Sequence, residues 1–163
     1  MVQQPRLQSM QVFRITTKKW SNSLTGSGYS ARWNSEGTLV IYTAENRSLA
    51  CLENLVHRNG HGLDDNFCVM TIDILNTISV LNLDVNSLTP NWNFSDESAQ
   101  IYCRSIGDKW ILEKKSCILK VPSALIDGEF NILINPNHKD FHKIKLKSTE
   151  KFTFDNRLKT KKS

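Results

Sequence analysis

The sequence predicts an α+β fold in which split, mostly antiparallel β-sheets are flanked by helices. Three observations lead there. Strand-like stretches outnumber helix-like ones, the two kinds are not segregated along the chain, and two amphipathic segments carry their own start and stop residues. At 163 residues with 39% hydrophobic and 23% charged residues, the chain has the size and composition of one globular domain with a genuine core.

Residues 11–16, Q-V-F-R-I-T, alternate as a strand, with Phe13 and Ile15 on one face and Arg14 on the other. Thr17 to Gly37 is polar and broken by Gly26, Gly28 and Gly37. A loop of about twenty residues is functional or disordered as a rule, and Tyr29 and Trp33 argue for an ordered one packed on something. The β-branched run T-L-V-I-Y-T (38–43) predicts a strand with Val40 and Tyr42 on one face and Leu39 and Ile41 on the other. Asn46 or Ser48 can cap the next helix, Leu49, Leu52, Leu55 and Val56 form its apolar stripe, and Gly60 ends it. At ~100° per residue Glu53 borders that stripe, and a carboxylate beside a buried face is costly without partners.

Further strands are predicted at Phe67 to Asp73, around Ile78–Leu83, at Cys117–Val121 before Pro122, at Phe130–Asn135, at Ile144–Lys147 and at Lys151–Asp155. Thr89-Pro90-Asn91 is turn chemistry. Ser95-Asp96-Glu97 opens a second helix whose apolar face is Ala99, Tyr102, Cys103 and Ile106, with a stop near Gly107. The domain is expected to cover residues 1–156, and the basic tail 157–163 is expected to be disordered.

The net charge of +5 is concentrated in that tail, where Arg157, Lys159, Lys161 and Lys162 lie among the last seven residues. The remainder carries 17 basic and 16 acidic residues, which is not a basic face for nucleic acid. No run reaches the ~20 apolar residues of a membrane span, and Met1-Val-Gln-Gln-Pro lacks the pattern of a secretion signal. A cytoplasmic protein without a membrane role is the expectation. Cys51, Cys68, Cys103 and Cys117 sit among apolar neighbours without a C-x-x-C and are expected to be buried free thiols.

Several motifs fall short on their own. Gly26-Ser27-Gly28 has neither the third glycine of a dinucleotide fingerprint nor a following Gly-Lys-Ser/Thr. His57 and His61, like His138 and His142, have the spacing of metal ligands, but the first pair straddles Asn59-Gly60 and the second follows Asn135-Pro136-Asn137, so no metal site is expected. Ser123 lacks a G-x-S-x-G elbow, which removes a triad with His57.

Taken together, G-S-G-Y-S-A-R-W-N-S-E-G, V-I-Y-T-A, L-A-C-L-E-N-L-V-H, W-I-L-E-K-K-S-C-I-L-K-V-P-S-A and N-I-L-I-N-P-N-H-K-D-F resemble, in order, the motifs of the RES-domain family. The resemblance runs roughly from Val12 to Ile144. The family is named for an arginine, a glutamate and a serine, and its members are the toxin halves of Xre–RES toxin–antitoxin pairs. It implies a fold similar to the ADP-ribosyltransferase toxins, consumption of NAD+ as substrate without a metal, and growth arrest. It also implies a cognate Xre-type antitoxin that covers or enters the cleft, in a homodimer or a hetero-oligomer with that antitoxin.

The family arginine falls on Arg32, its tyrosine on Tyr42, its glutamate on Glu53 and its serine on Ser123, while Asn131 and His138 match further recurring positions. The residue types suit the implied chemistry. A guanidinium at Arg32 can fork onto a diphosphate. The Tyr42 ring can stack on a flat base. Glu53 can stabilise the positive charge that develops on ribose as nicotinamide leaves, Ser123 can bind the nicotinamide ribose or amide, and Asn131 joins the binding set. Nicotinamide departs neutral, so one carboxylate suffices. The family usually has a glycine pair before R-W-N, where this chain has Ser30-Ala31, which implies a differently shaped loop or lower activity. Three outcomes stay open: an NAD+ glycohydrolase or phosphorylase, an ADP-ribosyltransferase acting on a protein, and a catalytically weak binding subunit.

Overall fold

The computed structural model describes residues 8–160. Seven strands form one sheet: β1 (Ser9–Thr17), β2 (Ile41–Ala44), β3 (Phe67–Leu75), β4 (Val80–Asn82), β5 (Ile118–Pro122), β6 (Phe130–Ile134) and β7 (Lys145–Phe152). Their order is β4-β5-β6-β2-β1-β3-β7. Only β4 and β5 run parallel; every other pairing is antiparallel. The split lies between β2 and β1, which share the single register pair Phe13↔Ala44, whereas β1 and β3 pair over their whole length.

Strand alternation divides the core by face. Val12, Ile41, Met70, Ile72, Ile118, Ile132 and Ile134 point to one side, where Ile78 and Ile144 close over them. The other side carries both helices. Over the β1–β3 half lies α1 (Arg47–Arg58), packed through Leu49 and Ala50 on Ile15, Ala44, Phe67 and Val69. Over the β5–β6 half lies α2 (Glu97–Glu113), whose Cys103 and Trp110 pack with Trp33, Val40, Leu119, Val121 and Leu133. The two helices thus stand over separate halves of one sheet, leaving a cleft along β2 and the start of β6.

Local chemistry explains the helix ends. Asn46 caps α1 by accepting the Leu49 N–H at 2.7 Å. The helix closes through Asn59 and Gly60, both at positive φ, with the Gly60 N–H donating to the Leu55 carbonyl at 3.1 Å. Asp96 caps α2 by accepting from Ala99 N–H at 3.0 Å.

Three expectations are corrected. Gly107 does not stop α2, which continues to Glu113 and ends at Lys114 in the left-handed conformation. A side chain at Gly107 would overlap the Trp33 carbonyl, so this glycine permits a loop to lie against the helix instead of ending it. The two strands expected at 144–147 and 151–155 are one, β7, because the Ser148–Lys151 stretch keeps its ladder with β3 across a register shift at Thr71/Ile72. The tail expected to be disordered from residue 157 begins in a turn, Asn156–Leu158, and Thr160 N–H donates to the Gly60 carbonyl at 3.1 Å. Lys161, Lys162 and the N-terminal Met1-Val-Gln-Gln-Pro lie outside the described residues. No helix among the described residues is long and apolar enough to cross a membrane. Cys68, Cys103 and Cys117 are buried free thiols, and Cys51 is half-buried.

Candidate active site

Glu53 follows the buried Leu49 and Ala50 by four and three residues, so α1 turns it toward the sheet. There the Asn131 amide, rising from β6, donates to its Oε1 at 2.7 Å. Asn131 pairs with Ala44 on one side and Val121 on the other, which fixes it at the floor of the cleft. Burial pushes the Glu53 carboxyl above the usual glutamate range, while the Asn131 hydrogen bond and the nearby Arg32 and His57 charges pull the other way. His57 is one turn along the same helix face.

Arg32 comes from the opposite wall. Its Nη1 donates to the carbonyls of Trp92 at 2.9 Å and Phe94 at 3.1 Å, and Nη2 reaches the Asn93 carbonyl at 3.4 Å. One end of the guanidinium therefore clamps the Trp92–Phe94 turn. The Cys103 thiol is the guanidinium's side-chain neighbour, and the Nε edge of Arg32, with no carbonyl or carboxylate acceptor among the described residues, is a side-on donor for an anion.

The loop that presents Arg32 is held from three directions. The Tyr42 hydroxyl accepts the Trp33 N–H at 3.1 Å and donates to Asn34 Oδ1 at 2.6 Å. Asn34, buried at 1% exposure, spends its amide hydrogens on the carbonyls of Tyr29 at 2.8 Å, Thr38 at 3.0 Å and Ser35 at 3.2 Å. One face of α2 completes the grip. Arg104 Nε donates to the Ala31 carbonyl at 3.1 Å, Asp108 accepts the Ser35 N–H at 2.9 Å, and Gly107 admits the Trp33 backbone. Burial pushes the Tyr42 phenol well above its ordinary value, so it stays a neutral donor. Its hydroxyl is committed to the loop, which leaves only the ring for a ligand.

Ser123 stands just past β5. It keeps the strand's alternation with Leu119 and Val121 and is held by its N–H to the Glu129 carbonyl at 2.8 Å. Its hydroxyl oxygen accepts the N–H groups of Leu125 and Ile126, each at 3.1 Å. The hydroxyl proton has no acceptor among the described residues. Ser123 lines a cavity of about 320 Å³ with Trp92, Asn93, Asp127, Glu129 and Phe130. Trp92 and Asn93 belong to the turn that Arg32 clamps, so the cavity adjoins the Arg32 side of the cleft.

The structure thus brings Glu53, Asn131, Arg32 and Tyr42 to one cleft, with Ser123 in the adjoining cavity. His138 is elsewhere, beyond the far end of β6, where its Nδ1 accepts the Asp140 N–H at 3.1 Å. Ser30 and Ala31 both have negative φ, so this chain's loop needs no glycine at either position. The sequence gives Asn34, Arg104 and Asp108 no role; the asparagine's place in R-W-N is the one signal it carries. No group of three or more His, Cys, Asp or Glu side chains that could hold a metal ion is present among the described residues.

A mixed sheet bearing one desolvated carboxylate opposite a guanidinium defines a class of site, and comparison gives the family. The RES domain matches residues 11–155, and the chain belongs to the RES-domain family. It is 38% identical over 139 residues to Toxin Res of Photorhabdus laumondii subsp. laumondii, covering 82% of this chain and 86% of that protein. It is 35% identical over 156 residues to Toxin Res of Yersinia enterocolitica, covering 92% and 100%. It is 33% identical over 143 residues to the Prs ADP-ribosylating toxin of Sphingobium sp., covering 85% and 88%. The fold is similar to that of a chain in the crystal structure of the M. tuberculosis MbcT–MbcA toxin–antitoxin complex, with a TM-score of 0.74 over 90% of this chain and 85% of that one, at 18% identity.

Proposed function

We propose that this chain, as one domain over residues 1–156, is a RES-family toxin that consumes NAD+ in the cytoplasm by breaking the nicotinamide–ribose bond. We further propose that a Xre-type antitoxin restrains it. The observation that carries the reading is Glu53, a carboxylate drawn out of water, held by one amide and facing a guanidinium across a cleft. The names of the relatives, each a toxin, support the toxin class. The neighbour from a toxin–antitoxin complex supports the antitoxin.

In this reading the Nε edge of Arg32 takes the diphosphate, the Tyr42 ring takes a flat base, and the nicotinamide end enters the cavity beyond Ser123. The Ser123 hydroxyl donates its unused proton to the nicotinamide ribose or amide and fixes the scissile bond. As the C1′–N bond lengthens, its electron pair goes to the ring and nicotinamide leaves neutral. Positive charge passes to the ribose, where the Glu53 carboxylate stabilises it. Water or phosphate then bonds to C1′ and loses a proton. Asn131 keeps the carboxylate in one orientation and ionised.

The test is purified protein with NAD+, products separated by chromatography. Nicotinamide with ADP-ribose or its phosphate is expected, and intact NAD+ refutes the reading. A second reading, ADP-ribosylation of a protein, is favoured by the relative named an ADP-ribosylating toxin. Adenylate-labelled NAD+ in a lysate separates the two: a labelled protein band belongs to the second, free labelled ADP-ribose to the first.

A further inference from the structure

The nicotinamide end of the cleft has a charge pattern that the cleavage chemistry does not use. Resting on the proposed NAD+ site, we infer that the cavity beside Ser123 is a receptor for a cationic ring, and that Asp127 and Glu129 make it select NAD+ over NADH. Asp127 and Glu129 are among the residues that line the cavity, and no lysine, arginine or histidine is. Neither carboxylate has an ion pair among the described residues. Two cations stand beside the lining without pairing with either residue: Arg32 donates to the Trp92 and Asn93 carbonyls, and the Lys120 ammonium lies 4.2 Å from the Phe130 ring centroid. Trp92, buried against Trp33, supplies an aromatic wall. Ser123, only 6% exposed, keeps an undonated hydroxyl proton at the same cavity.

Oxidised nicotinamide is a flat ring with a full positive charge; the reduced ring is neutral. Two carboxylates beside an aromatic wall attract the first by Coulomb and cation–π interaction and leave the second unassisted. The same carboxylates repel phosphate, so they also orient the dinucleotide, pyridinium inward and diphosphate outward to Arg32. The attraction belongs to the bound substrate and fades as the charge moves to the ribose. It therefore lowers KM and kcat together and leaves kcat/KM nearly unchanged, and it does not retain neutral nicotinamide after cleavage.

The experiment compares wild type with the double variant Asp127→Asn, Glu129→Gln, whose folding is checked by thermal unfolding. Asp127 is exposed and Glu129 holds Ser123 through its backbone carbonyl, so neither substitution removes a structural contact. With two partly exposed charges lost, KM for NAD+ should rise ~3–10-fold, with kcat rising alongside it and kcat/KM within about twofold. The ratio of the NADH inhibition constant to that KM should fall by a similar factor. An unchanged KM and ratio overturns the inference. Calorimetry with the 1-methylnicotinamide cation and with neutral nicotinamide tests the cavity without turnover. Preference for the cation in wild type, lost in the double variant, supports the receptor even if no NAD+ is cleaved, and equal binding of the two overturns it.

Discussion

Replacing Gly107 by alanine sets two effects of known size against each other. Within a helix, glycine to alanine ordinarily stabilises by ~1 kcal/mol. Here the added Cβ would overlap the Trp33 carbonyl oxygen, and it would stand 2.7 Å from the carbonyl carbon and 3.2 Å from Cα, where ordinary contact begins at 3.4 Å. The obstacle is backbone. Trp33 is pinned by the Tyr42 hydroxyl and its ring is buried against Trp92, so neither the loop nor the helix can yield freely. Overpacking costs ~1–3 kcal/mol, and an overlap with pinned backbone belongs in the upper part of that range. Subtracting the propensity gain leaves a net loss of roughly 1–2 kcal/mol, or a Tm lower by about 3–6 °C for a chain of this size. Because Arg32 adjoins Trp33, a displaced loop also moves the guanidinium, and NAD+ turnover should fall by at least ~10-fold. Thermal unfolding and nicotinamide release measure both. A Gly107→Ala protein that is more stable by ~1 kcal/mol would refute the close approach of loop and helix, and with it the account of how Arg32 is positioned.

Other predictions concern the same cleft. Tyr42→Phe keeps the ring but strands the Trp33 N–H and Asn34 Oδ1; at ~1–3 kcal/mol for an unsatisfied buried group, urea unfolding should show a loss in that range, and a change under ~0.5 kcal/mol contradicts the pin. Glu53→Gln should raise stability at neutral pH. Burial lifts the folded-state pKa of Glu53 above its unfolded value, so wild type loses stability as pH rises from the ordinary glutamate range through that raised value. The variant lacks this loss, so the gap in Tm should close on acidification; a gap that widens in acid shows the opposite shift. Asn131→Ala removes the hydrogen bond that favours the ionised carboxylate, so the acid limb of the activity profile should move to higher pH, and an unmoved limb removes Asn131 as its holder.

What the sequence discloses tracks how local the cause is. Period-two alternation locates β1, β3, β5 and β6, and places Tyr42 and Ile41 on opposite faces, because strand faces are set residue by residue. Asn46, Gly60 and the position of Glu53 on α1 are legible for the same reason: caps and helical phase depend on neighbours in sequence. Gly107 misleads because its cause is a loop more than seventy positions away, which no local pattern reports. The union of two short strands into β7 depends on the partner β3, which carries the ladder through a weakly apolar stretch. The grip on Arg32 is invisible in kind, since its acceptors are main-chain carbonyls of Trp92, Asn93 and Phe94, and carbonyls leave no mark in composition. The family resemblance supplies Arg32, Tyr42, Glu53, Ser123 and Asn131 as a set, but it does not show that the tyrosine hydroxyl is committed to the loop or that the asparagine holds the glutamate.

The most direct measurement is the initial rate of nicotinamide release from NAD+ by wild type and by Glu53→Gln at equal concentration and neutral pH. An electrostatic contribution of ~3–4 kcal/mol from the carboxylate predicts release by wild type and a rate lower by about 10²–10³ in a variant that remains folded. Equal rates in the two proteins would contradict the account.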